Sequence, residues 1–255
     1  MHQEDASIII RSNVQSDVVV VNQCDRNNID EFDFINNNGR TCHAKFICTT
    51  ERGLSRSRNM AIRNAWADIC QICDDDEVLE DDCEQKVLEA YHANPNAGVI
   101  AFALIRKDCG KKYPEGKKSL GFKQILKTSS LQITFKSNLM GKYGICFDEK
   151  MGSGTGNGGG EENKFLLDCK RNGIKLLYVP VYIATVNKGE SQWFNGYTEK
   201  YATNIGWTSR RTLGCFIGYA YIWYFSIRHR KHFAIDGVSL GDLIKCMHKG
   251  FMEKR

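Results

Sequence analysis

Short apolar runs alternate with amphipathic stretches over the first two thirds of the chain. The segments DVVVVNQ (17–23), AKFICTT (44–50) and DICQIC (68–73) are β-branched or apolar and end in polar or turn residues, as buried parallel strands do. Between the last two lies GLSRSRNMAIRNAWAD. Here Ser55 is placed to cap a helix, and Leu54, Ala61, Ile62, Ala65 and Trp66 recur at three-and-four spacing as its inward stripe. A second helix is expected over about Asp81 to Ala93, a strand over AGVIAFALIR (97–106) and another in LQITFKSN. The alternation predicts an α/β fold.

Two passages stand out from this pattern. The first is ICDDDEV (72–78), where Asp74, Asp75 and Asp76 follow an apolar strand. Crowded carboxylates repel, so they form either a solvated corner or one side of a divalent-cation site. In open parallel sheets ligands collect beyond the carboxyl ends of strands, and both this run and Asn22 to Asp25 occupy such ends. The second is MGSGTGNGGGEEN, in which six of the nine residues from 152 to 160 are glycine. Such a loop is either a mobile lid or a place where backbone passes close to a ligand. It lacks the Lys-Ser/Thr of a phosphate-binding P-loop, and Glu161 and Glu162 open a helix directly after it. Carboxylates there are favoured by the helix dipole in any protein, and one of them is also a candidate general base.

Composition narrows the classes. With 255 residues the chain can bury a full core, and a net charge of +5 is too small to indicate a nucleic-acid partner. The start, MHQEDASIII, is acidic where an export signal needs basic residues. The eleven cysteines are odd in number and sit mostly in apolar runs, which suits free thiols in a reducing compartment. Cys70 and Cys73 form one CxxC with no second pair, so they are expected as buried strand residues rather than a zinc site. The lysines of KDCGKKYPEGKKSLGFKQ read as a solvated surface excursion.

The blocks GLSRSRNMAIRNAWADICQICDDDEV and FDEKMGSGTGNGGGEENKFLLDCKRNGIKLLYVP together resemble the donor-binding helix, Asp-x-Asp strand, loop and acid pair of inverting, nucleotide-sugar-dependent family 2 glycosyltransferases, of bacterial polysaccharide type. The resemblance covers roughly residues 17 to 186. It implies a Rossmann-like GT-A mixed sheet flanked by helices over residues 1–190, with residues 191–255 as a C-terminal helical extension. It further implies Mn²⁺ or Mg²⁺ held principally by Asp76, with Asp74 near the ribose or the metal and Asp75 able to replace either. Arg58 and Asn59 would line the donor pocket, and Asn22 and Asp25 would meet the base, of a UDP-sugar most simply. Glu162 would deprotonate the hydroxyl of a saccharide or lipid-linked acceptor, with Glu161 second. Asn187 stands where many relatives carry a metal-binding histidine, and Trp193 and Phe194 lie on the acceptor side. The runners-up are a sugar nucleotidyltransferase, whose phosphate loop after the first strand is missing, and a non-catalytic nucleotide-sugar-binding module.

Two further expectations concern the chain ends. TLGCFIGYAYIWYFSI (212–227) is sixteen uncharged residues between Arg210-Arg211 and RHRKH, shorter than the ~20 of a spanning helix but suited to lying at a membrane surface through residues 212–230. Together with the resemblance to bacterial polysaccharide enzymes, this implies an expected place in the cytoplasm, peripheral at the inner face of the cell membrane. At the other end, SIIIRSN looks like the family's first strand. Only Val14, Gln15 and Ser16 separate it from DVVVVNQ, too few for a parallel crossover of roughly ten or more residues. Asp5 to Asn13 are therefore expected as a helix remnant, and the fold as lacking its first strand.

Overall fold

The computed structural model describes residues 3–106, 112–186 and 196–254. In chain order its elements are α1 (Ile8–Arg11), β1 (Val18–Gln23), β2 (Asn28–Ile35), β3 (Thr41–Thr49), α2 (Leu54–Asn64), β4 (Ile69–Gln71), β5 (Glu77–Leu79), α3 (Cys83–His92) and β6 (Val99–Arg106). There follow β7 (Lys118–Ser119), α4 (Phe122–Ile125), β8 (Ile133–Lys136), α5 (Ser137–Tyr143), α6 (Glu161–Arg171), β9 (Leu176–Val186), α7 (Glu199–Ile235) and α8 (Leu240–Met252). The chain divides into two compact units. The second gathers residues 53–55 and 147–164 as well as the C-terminal helices.

The first unit is a mixed α/β fold with two sheets, ordered β1-β3-β2 and β4-β8-β6-β9-β5, with β7 on β9. β1 runs parallel to β3, Val20 opposite Phe46, as the apolar runs suggest. β4 departs from expectation: it spans three residues and its partner β8 runs antiparallel. Its early end at Gln71 leaves Cys70 half-buried and Cys73 exposed, not buried as expected, and the described cysteines are free thiols. β2 was not foreseen. It forms a hairpin with β3 around Asn36, whose Oδ1 accepts from the N–H groups of Asn38 and Arg40 at 3.0 and 2.9 Å.

β6 is the spine, with Val99 to Leu104 all buried. β9 pairs with it in parallel, but the register shifts around Ala103. Pro180 in β9 lacks the N–H that a regular ladder needs there. Phe102, Leu104, Ile183 and Ala184 join Val87 and Tyr91 of α3 in one core cluster.

Residues 8–11 are helical, as the short spacing requires, and no part of Ser7 to Ile10 lies in a sheet. Among the described residues β1 has only β3 as neighbour and β4 only β8. The two strands are nevertheless bridged at both ends. Trp66 Nε1 donates to Asp17 Oδ2 at 3.0 Å, while Gln3 bonds both Asn22 and, at 3.2 Å, Asp75. One-sided pairing leaves Val18 to Val21 half-buried.

In the second unit α7 breaks at Gly214, whose φ of 78° and ψ of −175° only glycine adopts readily. The uncharged run is thus divided rather than one continuous helix. Thr198 and Ser239 cap α7 and α8 by accepting from Tyr201 N–H and Asp242 N–H. The two helices pack backbone against backbone where Gly206 meets Met247 and Gly250 meets Thr203, contacts that a Cβ would block. Around them Ile222, Phe225, Phe233, Leu243, Met247 and Phe251 form the unit's apolar core.

Candidate active site

The aspartate run leaves β4 and turns into β5. Arg58, on α2 and only 6% exposed, donates from one guanidinium nitrogen to both oxygens of Asp74, at 3.0 and 3.1 Å, and to Ser130 Oγ at 2.9 Å. The face of α2 that is most buried is therefore polar: Ser55, Arg58 and Asn59 are all under a tenth exposed, while Ala61, Ile62 and Ala65 are half-buried and Trp66 is exposed. The apolar stripe foreseen for this helix is its lesser contact. Ser55 lies inside the helix rather than at its cap, and its hydroxyl donates to Met151 O at 2.8 Å.

Asp75 accepts from Gln3, whereas the exposed Asp76 makes no side-chain hydrogen bond or ion pair among the described residues. Partial burial and then the Asp74 carboxylate raise the Asp76 pKa above the ordinary aspartate value. Glu77 is 1% exposed with both carboxylate oxygens unbonded. Burial first, and Asp74 next, push its pKa well above the ordinary glutamate value. A shallow cleft of about 220 Å³ adjoins these groups, lined by Gln3, Arg11, Ser12, Asp75, Asp76 and Glu77 among others.

Asn22 is 2% exposed and its amide is engaged with the Gln3 backbone, accepting at 2.9 Å and donating at 2.8 Å, much as an adjoining strand would. Asp25 is exposed and paired with Arg52 at 2.7 Å. The structure thus ties Arg58 to Asp74 and Ser130, and Asn22 to Asp75 through Gln3, two sets that adjoin at the neighbouring residues Asp74 and Asp75. Asp25 stands outside both.

The glycine loop and acid pair belong to the second unit. The loop is laced to itself: Gly152 N–H donates to Gly158 O at 3.2 Å, Thr155 Oγ1 to Gly152 O at 2.7 Å, and Asn157 Nδ2 to Lys150 O at 2.9 Å. Gly152 has φ of 95°, and a Cβ there would stand 3.2 Å from the Glu161 carboxyl carbon and 3.3 Å from Ser55 Oγ. Backbone passes close here to a carboxylate. Glu161 is 6% exposed and Glu162 is half-buried, at the first turn of α6. The loop's root is fixed by Asp148, which accepts from Arg211 Nε at 2.6 Å and Nη2 at 2.7 Å. This pair, 63 residues apart, had no local signal in the sequence.

Asn187, Trp193 and Phe194 lie outside the described residues. Among the described residues no three His, Cys, Asp or Glu side chains converge as a ready-made metal site. The donor set still suits a divalent ion that takes one or two carboxylates and completes its shell with phosphates and water, the usual habit of Mg²⁺. Among the described residues Asp76 has no side-chain partner, and a cation there would offset its repulsion with Asp74, which after partial burial is what raises its pKa.

A mixed α/β sheet with acids loaded at a strand's carboxyl end is compatible with a GT-A type of glycosyl-transferring enzyme. The model for Glycosyl transferase family 2 matches residues 15–148, more than half of the chain, and the chain belongs to that family. It is a nucleotide-sugar glycosyltransferase. Comparison with curated proteins finds no match. Among solved structures, S. aureus TarS 1-349 is similar over 91% of this chain and 72% of its own, with a TM-score of 0.58 and 14% identity. TarS 1-349 in complex with UDP aligns over 90% of this chain and 71% of its own (TM-score 0.58, 15% identity). Its complex with UDP-GlcNAc aligns over 76% and 58% (TM-score 0.54, 15% identity). At such identities the likeness is one of fold.

Proposed function

We propose that the protein moves the sugar of a UDP-sugar to a saccharide or lipid-linked acceptor with inversion at the anomeric carbon, in a metal-dependent reaction. The observation that carries this reading is the uneven partnering of the aspartates. Asp74 is held by Arg58 and Asp75 by Gln3, while among the described residues Asp76 has no side-chain partner and follows directly on that pair, next to the buried Glu77 whose carboxylate oxygens are unbonded. Mn²⁺ or Mg²⁺ held by Asp76 would offset the charge that builds on the leaving diphosphate.

Arg58 fixes Asp74 in place, leaving that carboxylate to orient the ribose or share the cation. Glu162 takes the proton from the acceptor hydroxyl, so that the oxygen attacks from the side opposite the diphosphate and the configuration inverts. Glu161 is the weaker candidate because it is buried against Gly152 and less open to an acceptor. The choice of UDP is supported by the UDP and UDP-GlcNAc complexes of TarS.

The test is to incubate the protein with a panel of nucleotide sugars and Mn²⁺ and to identify the nucleotide released. UDP, with product of inverted configuration, is expected. Pyrophosphate or a nucleoside triphosphate would instead indicate nucleotidyl transfer, and no release at all would indicate a binding module.

A further inference from the structure

The part of α7 beyond Gly214 is apolar on both of its faces. Its inner face, with Gly218, Ile222, Phe225 and Phe233, is buried in the second unit's core. Directly opposite, at positions that recur every three or four residues, stand Phe216, Ala220, Trp223, Tyr224 and Ile227. Phe216 is 93% exposed, Tyr224 62%, Ile227 54% and Trp223 46%. A helix that is hydrophobic all round ordinarily has both faces covered, and a contiguous apolar stripe in water marks a docking surface.

Charge indicates what covers it. From residue 200 to 235 the sequence has no Asp or Glu, while Lys200, Arg210, Arg211, Arg228, Arg230 and Lys231 are all cationic. Arg228, Arg230 and Lys231 are exposed and lie at the C-terminal end of the stripe. A second copy seated here would set cation against cation, whereas an anionic surface would meet them with opposite charge. Trp and Tyr beside Phe and Ile, with Arg and Lys at the border, is the composition that settles where acyl chains meet headgroups. Among the described residues no helix is long and apolar enough to cross a membrane.

We propose that this stripe docks on the surface of an anionic lipid bilayer, with α7 lying in the plane of the membrane and Arg228, Arg230 and Lys231 among the headgroups. The stripe shares no residue with the aspartate site, and its test reads lipid binding rather than the transfer reaction.

The experiment is co-sedimentation of the full chain with vesicles of phosphatidylcholine alone and of phosphatidylcholine mixed with phosphatidylglycerol, alongside sedimentation velocity without lipid. Wild type should pellet with the anionic vesicles, less with neutral ones, and less again in high salt. Phe216→Asp combined with Ile227→Asp should cut binding by about tenfold or more, and Arg228→Ala with Arg230→Ala and Lys231→Ala should remove the preference for anionic lipid. These side chains are exposed, and circular dichroism confirms that each variant is folded. Absence of binding by wild type, or equal binding by the folded double-aspartate variant, overturns the proposal. So does a wild-type dimer that becomes monomeric in that variant while neither binds vesicles.

Discussion

Arg58 and Asp74, sixteen residues apart, meet through one guanidinium nitrogen that reaches both carboxylate oxygens at 3.0 and 3.1 Å. The arginine is buried and the aspartate about a third exposed, so the pair is neither a loose surface contact nor a sealed internal one. Arg58→Ala is expected to lower stability by about 1.5–3 kcal/mol, the scale of hydrogen bonds to a charged group. It should also weaken donor binding, because Asp74 loses its anchor. Chemical denaturation and UDP titration check both effects. Arg58→Lys keeps a charge but is a shorter side chain without the planar guanidinium, and should recover stability only in part.

Glu77 gives a pH signature. Its pKa is raised on folding, so above the unfolded carboxylate value of about 4.3 the native state holds more protons than the unfolded one, and stability falls as pH rises. Glu77→Gln removes that dependence while keeping the shape. Melting curves of the two proteins in metal-free buffer should coincide in acid and separate toward neutral pH, with the glutamine variant the more stable. A constant gap across the range would mean that Glu77 is ionised in the fold.

Glu162→Gln should slow transfer by ~10² or more, with UDP affinity nearly unchanged, as for a lost general base. Glu161→Gln should act mainly on loop stability, given its packing on Gly152. Single-turnover rates separate the two. If Glu161→Gln is the dead variant, the base lies one residue earlier.

The strand edges can be read by hydrogen exchange. Successive residues of a strand point their N–H groups to opposite sides, so alternate amides in Val18 to Val21 face away from β3 and have no strand partner. They should exchange far faster than those of Val99 to Leu104 in β6, which has neighbours on both sides. Equal protection would mean that something covers the free edges of β1 and β4.

Much of this was legible because local pattern reports it. The β1, β3 and β6 runs, the α2 and α3 helices, the acids after β4 and the glycine loop before α6 each carry their own signature of periodicity or composition. What escaped depends on distant partners. Antiparallel pairing of β4 with β8 is a choice of neighbour, and the Arg58–Asp74 and Arg211–Asp148 pairs join residues with nothing local to link them. β2 is mostly exposed, which weakened its apolar signal, although Phe32 and Phe34 alternating before the turn at Asn36 to Gly39 could have revealed it. The face of α2 was misjudged because its deepest side chains, Ser55, Arg58 and Asn59, are polar.

The central claim is that a divalent cation acts through Asp76. The most direct measurement is UDP release from a UDP-sugar by wild type and by Asp76→Asn, each with Mn²⁺ and with EDTA, with circular dichroism to confirm the fold. Loss of turnover both on chelation and in the folded variant is the expected result; wild-type activity in Asp76→Asn, or turnover indifferent to EDTA, would contradict it.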